Sequence, residues 1–125
     1  MDEAKRADVE REVRAAFDAY ETALVTNDVE ALIDLFAPGP QTVRMMDDSG
    51  LYGFDDIAAF RRARDPGDVA RTLTRVELQV LSDEIAVATA EYLRTGSGRR
   101  GCQSQVWRRL DTGWKVVSAH VSLGA

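Results

Sequence analysis

"CQSQVWRRLDTGWKVVSAHVSL", residues 102–123, reads as two β-strands joined by the tight turn Asp111-Thr112-Gly113. In the second strand Val117, Ala119, Val121 and Leu123 fall on one face, which should look toward packed helices. Ser118, His120 and Ser122 then point the other way. The first strand is harder to place. Gln103, Gln105 and Trp107 share one face, opposite Cys102 and Val106. Taken alone, these residues leave two readings open. The glutamines are solvent-facing on the outer sheet surface, or they line a polar pocket, with amides to orient a ligand and an aromatic wall to shield it.

Working outward, the period-two pattern begins at Arg71, where Val76, Leu78 and Val80 alternate with Arg75, Glu77 and Gln79. "SDE" at 82–84 turns the chain into the strand "IAVATAEYLR", and a Gly/Ser/Arg loop at 96–101 leads to the opening stretch. The pattern before Arg71 is helical. Val9, Val13, Ala16, Phe17, Tyr20 and Leu24 recur at three- and four-residue spacing, predicting a helix over 9–26. A second helix over 28–36 opens on Asn27 as N-cap with Glu30 three residues on, and "PGP" at 38–40 ends it. "QTVRMM" is a short strand at 42–46, expected on the sheet edge, and a third helix over 54–64 carries Ile57 and Phe60 inward. Helices first, then hairpin-joined strands, predict a single α+β domain with three N-terminal helices packed on a curved antiparallel sheet.

Composition narrows the function. The chain has 125 residues, 45% hydrophobic and 30% charged, which fits one soluble globular domain. No apolar run is long enough to span a bilayer, and the charged N-terminus has no signal-peptide core, so a cytoplasmic location is expected. A net charge of −5 argues against nucleic acid or an anionic membrane as partner. One cysteine and one histidine supply neither a disulfide nor a zinc site. Ten arginines crowd residues 61–109. Most should be solvated surface, and one or two lining a concavity would make an anion site.

Among residues able to carry chemistry, Tyr20 lies on the inner stripe of the first helix, where a phenol is most often a core residue with one hydrogen bond. Arg44 is either edge-exposed or pocket-pointing, and if buried it demands an anion, with Glu91 as the internal candidate. His120 reads as a structural or interface residue. No catalytic triad order, phosphate loop or nucleophile elbow is present.

The segment "GRRGCQSQVWRRLDTGWKVVSAHVSLG", with "TVRMMDDSGLYGFDDIAAFRRARD" and "AFDAYETAL", resembles the AtzH-like family, which includes HpxZ-type proteins, within the NTF2-like and SnoaL-like cone folds. The resemblance spans nearly the whole chain, 1–125. It implies a cone-shaped pocket between sheet and helices, homodimers or larger homo-oligomers through the outer sheet face, and Gln103, Gln105 and Trp107 facing the pocket. It also implies a decarboxylating amidohydrolase that turns 1,3-dicarboxyurea into allophanate in cyanuric acid and ureide catabolism. The family's active tyrosine and arginine match Tyr20 and Arg44, with Arg71, Gln103, Gln105 and Trp107 as substrate-binding candidates. No metal or organic cofactor is required. The alternative is an HpxZ-like, non-catalytic accessory subunit of an amidase in oxalurate catabolism.

Overall fold

A computed structural model of the chain describes residues 1–67 and 69–124. Helix α1 runs Glu3–Val25, α2 Val29–Asp34 and α3 Phe54–Ala63. The strands are β1 Val43–Met45, β2 Gly50–Tyr52, β3 Arg71–Val80, β4 Ile85–Arg94, β5 Arg100–Leu110 and β6 Gly113–Leu123. They form one sheet in the order β2-β1-β6-β5-β4-β3, covered on one face by the helices. The α+β architecture read from the sequence is therefore present.

Helix α1 buries Val9, Val13, Phe17, Tyr20, Ala23 and Leu24 against the sheet, the stripe expected of one face of a 3.6-residue helix. Its C-terminus corrects the expected cap. Asn27 is not the N-cap of α2: it adopts φ 54°, and its N–H donates to the Leu24 carbonyl while that of Asp28 donates to Ala23. That is a Schellman closure of α1 with asparagine in the left-handed position. Asp28 caps α2 instead, its carboxylate accepting from the Ala31 N–H at 3.3 Å.

Long-range pairing produced the other departures. The 42–46 strand does not lie on the sheet edge, because β2 pairs antiparallel outside it. On its inner side β1 runs parallel to β6, continuing a parallel contact that Phe36 makes with Val116. A bulge between Val106 and Trp107 leaves Val117 without a partner on β5. Trp114 and Val116 before it, and Ala119 after it, are buried, so the extra residue takes Val117 out of the apolar face assigned to it. A second bulge lies between Leu73 and Arg75. Bulges increase the bend and twist of a strand, and these two help curve the sheet around α1.

The inward face of β4 is Ala86, Ala88, Ala90 and Tyr92. The three alanines sit beside Trp107, Gln105 and Gln103 in register, small side chains making room for large ones. At Tyr92 the partner is Gly101, and a Cβ there would meet the Tyr92 ring at 2.2 Å. Gly101→Ala should therefore push the ring aside and destabilise the fold by about 1–3 kcal/mol, as overpacking usually does. A lowered denaturant midpoint with an unchanged slope is the expected result; an unchanged midpoint would contradict the close packing.

Candidate functional site

The inward face of β5 resolves the ambiguity of the opening stretch. Gln103, Gln105 and Trp107 are all buried, while Cys102, Ser104 and Arg108 on the other face are exposed. Between this face, α1, α3 and β1 lies a cavity of about 160 Å³. That is below the roughly 300–1,000 Å³ typical of sites for drug-sized ligands, so it suits a small metabolite.

Tyr20, Arg44, Arg71, Gln103 and Gln105 all line this cavity, although they come from four separate elements. Arg44 is 6% exposed, points to the helix side beside Ala119, and sits 5.3 Å from the Phe60 ring centroid. Two placements need correction. Trp107 does not line the cavity. It lies behind it, fully buried, with its ring edge-on to Tyr20 and its indole N–H donating to the Gln105 Oε1 at 3.1 Å. Glu91 is not a counter-ion for Arg44, because it stands exposed on the outer face opposite Cys102.

Arg71 is also less available than a substrate-binding role requires. Its Nε donates to Glu21 Oε2 at 3.1 Å, its Nη2 to Gln103 Oε1 at 2.9 Å, and its guanidinium stacks 4.3 Å from the Tyr92 ring centroid. Gln103 completes the triangle by donating to Glu21 at 3.3 Å. Arg71 is thus neutralised within the protein and holds one wall in place. Gln105, whose amide oxygen is occupied by Trp107, keeps its amide nitrogen as a donor for a ligand.

Three further residues, not singled out by their sequence pattern, complete the site. Glu21 is the partner of Arg71. Arg64 also lines the cavity. Arg61, one of the ten arginines of which one or two were expected to line a concavity, is only 3% exposed and donates from Nη2 to the Tyr20 Oη at 2.9 Å. A signal for Arg61 existed: it lies four residues after Ile57, on the same buried stripe of α3.

Charge is the dominant property of this cavity. Among the described residues its lining includes Arg44, Arg61, Arg64 and the Glu21-paired Arg71, with Asp47 as the carboxylate, although the whole chain is net negative. Asp47 is engaged by the Leu123 N–H. The Arg44 Nη1 and Arg61 Nε are buried without an acceptor. Burial and the nearby Arg61 charge press the Arg44 guanidinium down to about 10, which still leaves it cationic at neutral pH. Burial and Arg61 act on Arg64 in the same direction. For the Tyr20 phenol, burial raises the pKa. Arg61, Arg44 and Arg71 together outweigh it and Glu21, so the phenol is a stronger acid than usual. Among the described residues no group of His, Cys, Asp and Glu is arranged to hold a metal ion, and no helix is long and apolar enough to cross a membrane.

A family model described as AtzH-like matches residues 2–125. A crystal structure of a protein of unknown function from Pectobacterium atrosepticum is 43% identical, with 95% of this chain and 93% of that one covered and a TM-score of 0.90. A cystatin-like fold protein from Burkholderia xenovorans is 38% identical over 94% and 93%, with a TM-score of 0.87. An NTF2-like superfamily protein from Salmonella enterica is 25% identical over 95% and 93%, at 0.75. A search of the curated proteins found no match.

Proposed function

The chain belongs to the AtzH-like family, and we propose that its pocket removes one carboxylate from a small N-carboxylated urea such as 1,3-dicarboxyurea, giving allophanate and carbon dioxide. The observation that carries this reading is the arginine-rich cavity with Tyr20 in its lining, bonded to Arg61. Such a cavity favours a small dianion through charge-assisted hydrogen bonds. Arg44 would clamp the carboxylate that is retained. Gln105 would donate to the urea carbonyl.

The chemistry requires one proton and one broken bond. The bond between the departing carboxylate carbon and the urea nitrogen breaks, its electron pair stays on nitrogen, and carbon dioxide leaves. Tyr20 gives its phenolic proton to that nitrogen, and the phenolate is reprotonated from water. The hydrogen-bond directions suit this role. Arg61 donates to the Tyr20 oxygen, so the phenolic hydrogen remains free to be given away. Surrounding cations stabilise the phenolate left behind.

Freshly generated 1,3-dicarboxyurea incubated with the purified chain, with allophanate followed over time, tests the reading. Release faster than the spontaneous rate supports it. No acceleration, together with capture of an amidase, would support an accessory subunit instead.

The proposal includes a homodimer through the outer sheet face. Val87 and Val106 are half-buried there, Ile85 is 38% exposed, and Ser118, His120 and Ser122 border them. Light scattering at micromolar concentration should report at least a dimer. A monomer would remove this part and leave the pocket chemistry untouched.

A further inference from the structure

Arg61 is a costly residue to place where it is. A guanidinium 3% exposed, with no carboxylate bonded to it among the described residues, loses hydration without recovering it from an ion pair. Its Nη2 reaches Tyr20 Oη at 2.9 Å, its Nε has no acceptor, and its guanidinium lies 5.8 Å from the Phe36 ring centroid. A residue needed only to fill this slot in α3, beside Ile57 and Ala58, would do so better as an apolar side chain of similar length. What an apolar side chain would not supply is a donor and a charge at the Tyr20 oxygen.

We infer that Arg61 is a positioning residue for Tyr20: it fixes the phenol's oxygen through the Nη2 bond, leaves the phenolic hydrogen free for transfer, and holds the phenolate that transfer leaves behind. This rests on the reading of Tyr20 as the proton donor in the proposed reaction. The charged groups facing the phenol are Arg61 from α3, Arg44 from β1, Arg71 from β3 and Glu21 from α1, with Arg64 beyond the end of α3. Burial opposes ionisation, and among the cations Arg61 has the largest favourable influence. Arg71 is already paired to Glu21. The proton donor's strength therefore depends first on Arg61 and next on Arg44.

The test does not need substrate. Tyrosine ionisation is followed by ultraviolet absorbance across an alkaline titration, and subtracting the Tyr20→Phe curve isolates Tyr20 from Tyr52 and Tyr92. In the otherwise unchanged protein Tyr20 should ionise below the ordinary tyrosine value of about 10. Arg61→Met, which keeps the length and removes charge and donor, should weaken the phenol as an acid at least tenfold. Arg61→Lys should fall between the two, since an ammonium supplies charge without the planar fork. A Met variant that ionises within twofold of the starting protein would overturn the inference. Should the Met variant not fold, the neutral but polar Arg61→Gln serves in its place, and ionisation within twofold of the starting protein would overturn the inference equally. Because the titration is made without substrate, a failure to decarboxylate 1,3-dicarboxyurea would count against the proposed reaction and leave the role of Arg61 standing.

Discussion

Arg44→Ala should abolish useful binding of a small dicarboxylate while leaving the protein folded. Acetonedicarboxylate is a suitable probe, because it keeps both carboxylates and the central carbonyl and replaces the two nitrogens with methylenes. Truncating one partner of a buried charge pair typically costs about 2–5 kcal/mol, or roughly 30-fold to several thousand-fold in affinity. Arg44 should fall within that range, because it is buried and among the described residues no carboxylate pairs with it, so the proposed ligand would be its counter-ion. Folding should survive, since the substitution removes an uncompensated buried cation rather than orphaning one. Isothermal titration measures the affinity. Thermal denaturation gives an independent view: a ligand that binds only the native state at a hundred times its Kd adds about 2.7 kcal/mol of stability. That gain should appear for the starting chain and vanish for Arg44→Ala. An unchanged affinity would place the anion site elsewhere.

The competence of Arg44 comes from the fold rather than from its own segment. Three residues of β1 place it, and the parallel pairing with β6 sets it beside Ala119, whose small side chain leaves the space open. Arg61 arrives from a helix and Tyr20 from another, and neither is adjacent in sequence to the strand residues they meet. Three cations close together repel one another, and burial makes each more costly. The protein pairs Arg71 with Glu21, while among the described residues no carboxylate pairs with Arg44 or Arg61, an arrangement that the proposed anionic ligand would complete.

Which parts were legible in the sequence follows from how local their causes are. The alternation in β5 and its tight turn into β6 made the polar face of Gln103 and Gln105 visible. Opposite them the run of alanines at 86, 88 and 90 carried the complementary small volumes. The stripe of α1 placed Tyr20 inward without reference to anything else. The bulge at Val117 was not legible, because one extra residue inverts parity and no residue type marks it. Neither was the pairing of β1 with β6, which joins segments some seventy-five residues apart. Glu21 is next to Tyr20 in sequence, but its importance appears only when Arg71, fifty residues away, reaches it. Arg61 lay within reach of the helical periodicity. It was hidden by its surroundings, since "RRAR" reads as a solvated run and only one of the first two arginines turns inward: Arg62 instead pairs with Glu30 on the surface.

Tyr20→Phe removes one hydroxyl and almost no volume, so it separates binding from chemistry. The ring packs against Phe36 and Trp107, and phenylalanine keeps both contacts. Affinity for acetonedicarboxylate should therefore change little, since Arg44 still supplies the clamp. Turnover of 1,3-dicarboxyurea should fall by about 10²-fold or more, the usual loss when a positioned general acid is removed. The pH profile adds a second signature with a definite sign. A phenol acts as an acid only while protonated, so the rate should decline as pH rises through the Tyr20 pKa. Net attraction from Arg61, Arg44 and Arg71 places that decline below the ordinary tyrosine value of about 10. The residual activity of Tyr20→Phe should lack this limb. Arg44, itself pressed down to about 10, loses charge in the same alkaline region, but its loss weakens binding and so appears in KM rather than kcat. Turnover at the original rate in Tyr20→Phe would make Tyr20 a core residue with one hydrogen bond, and the proton would have to come from water held by the arginines.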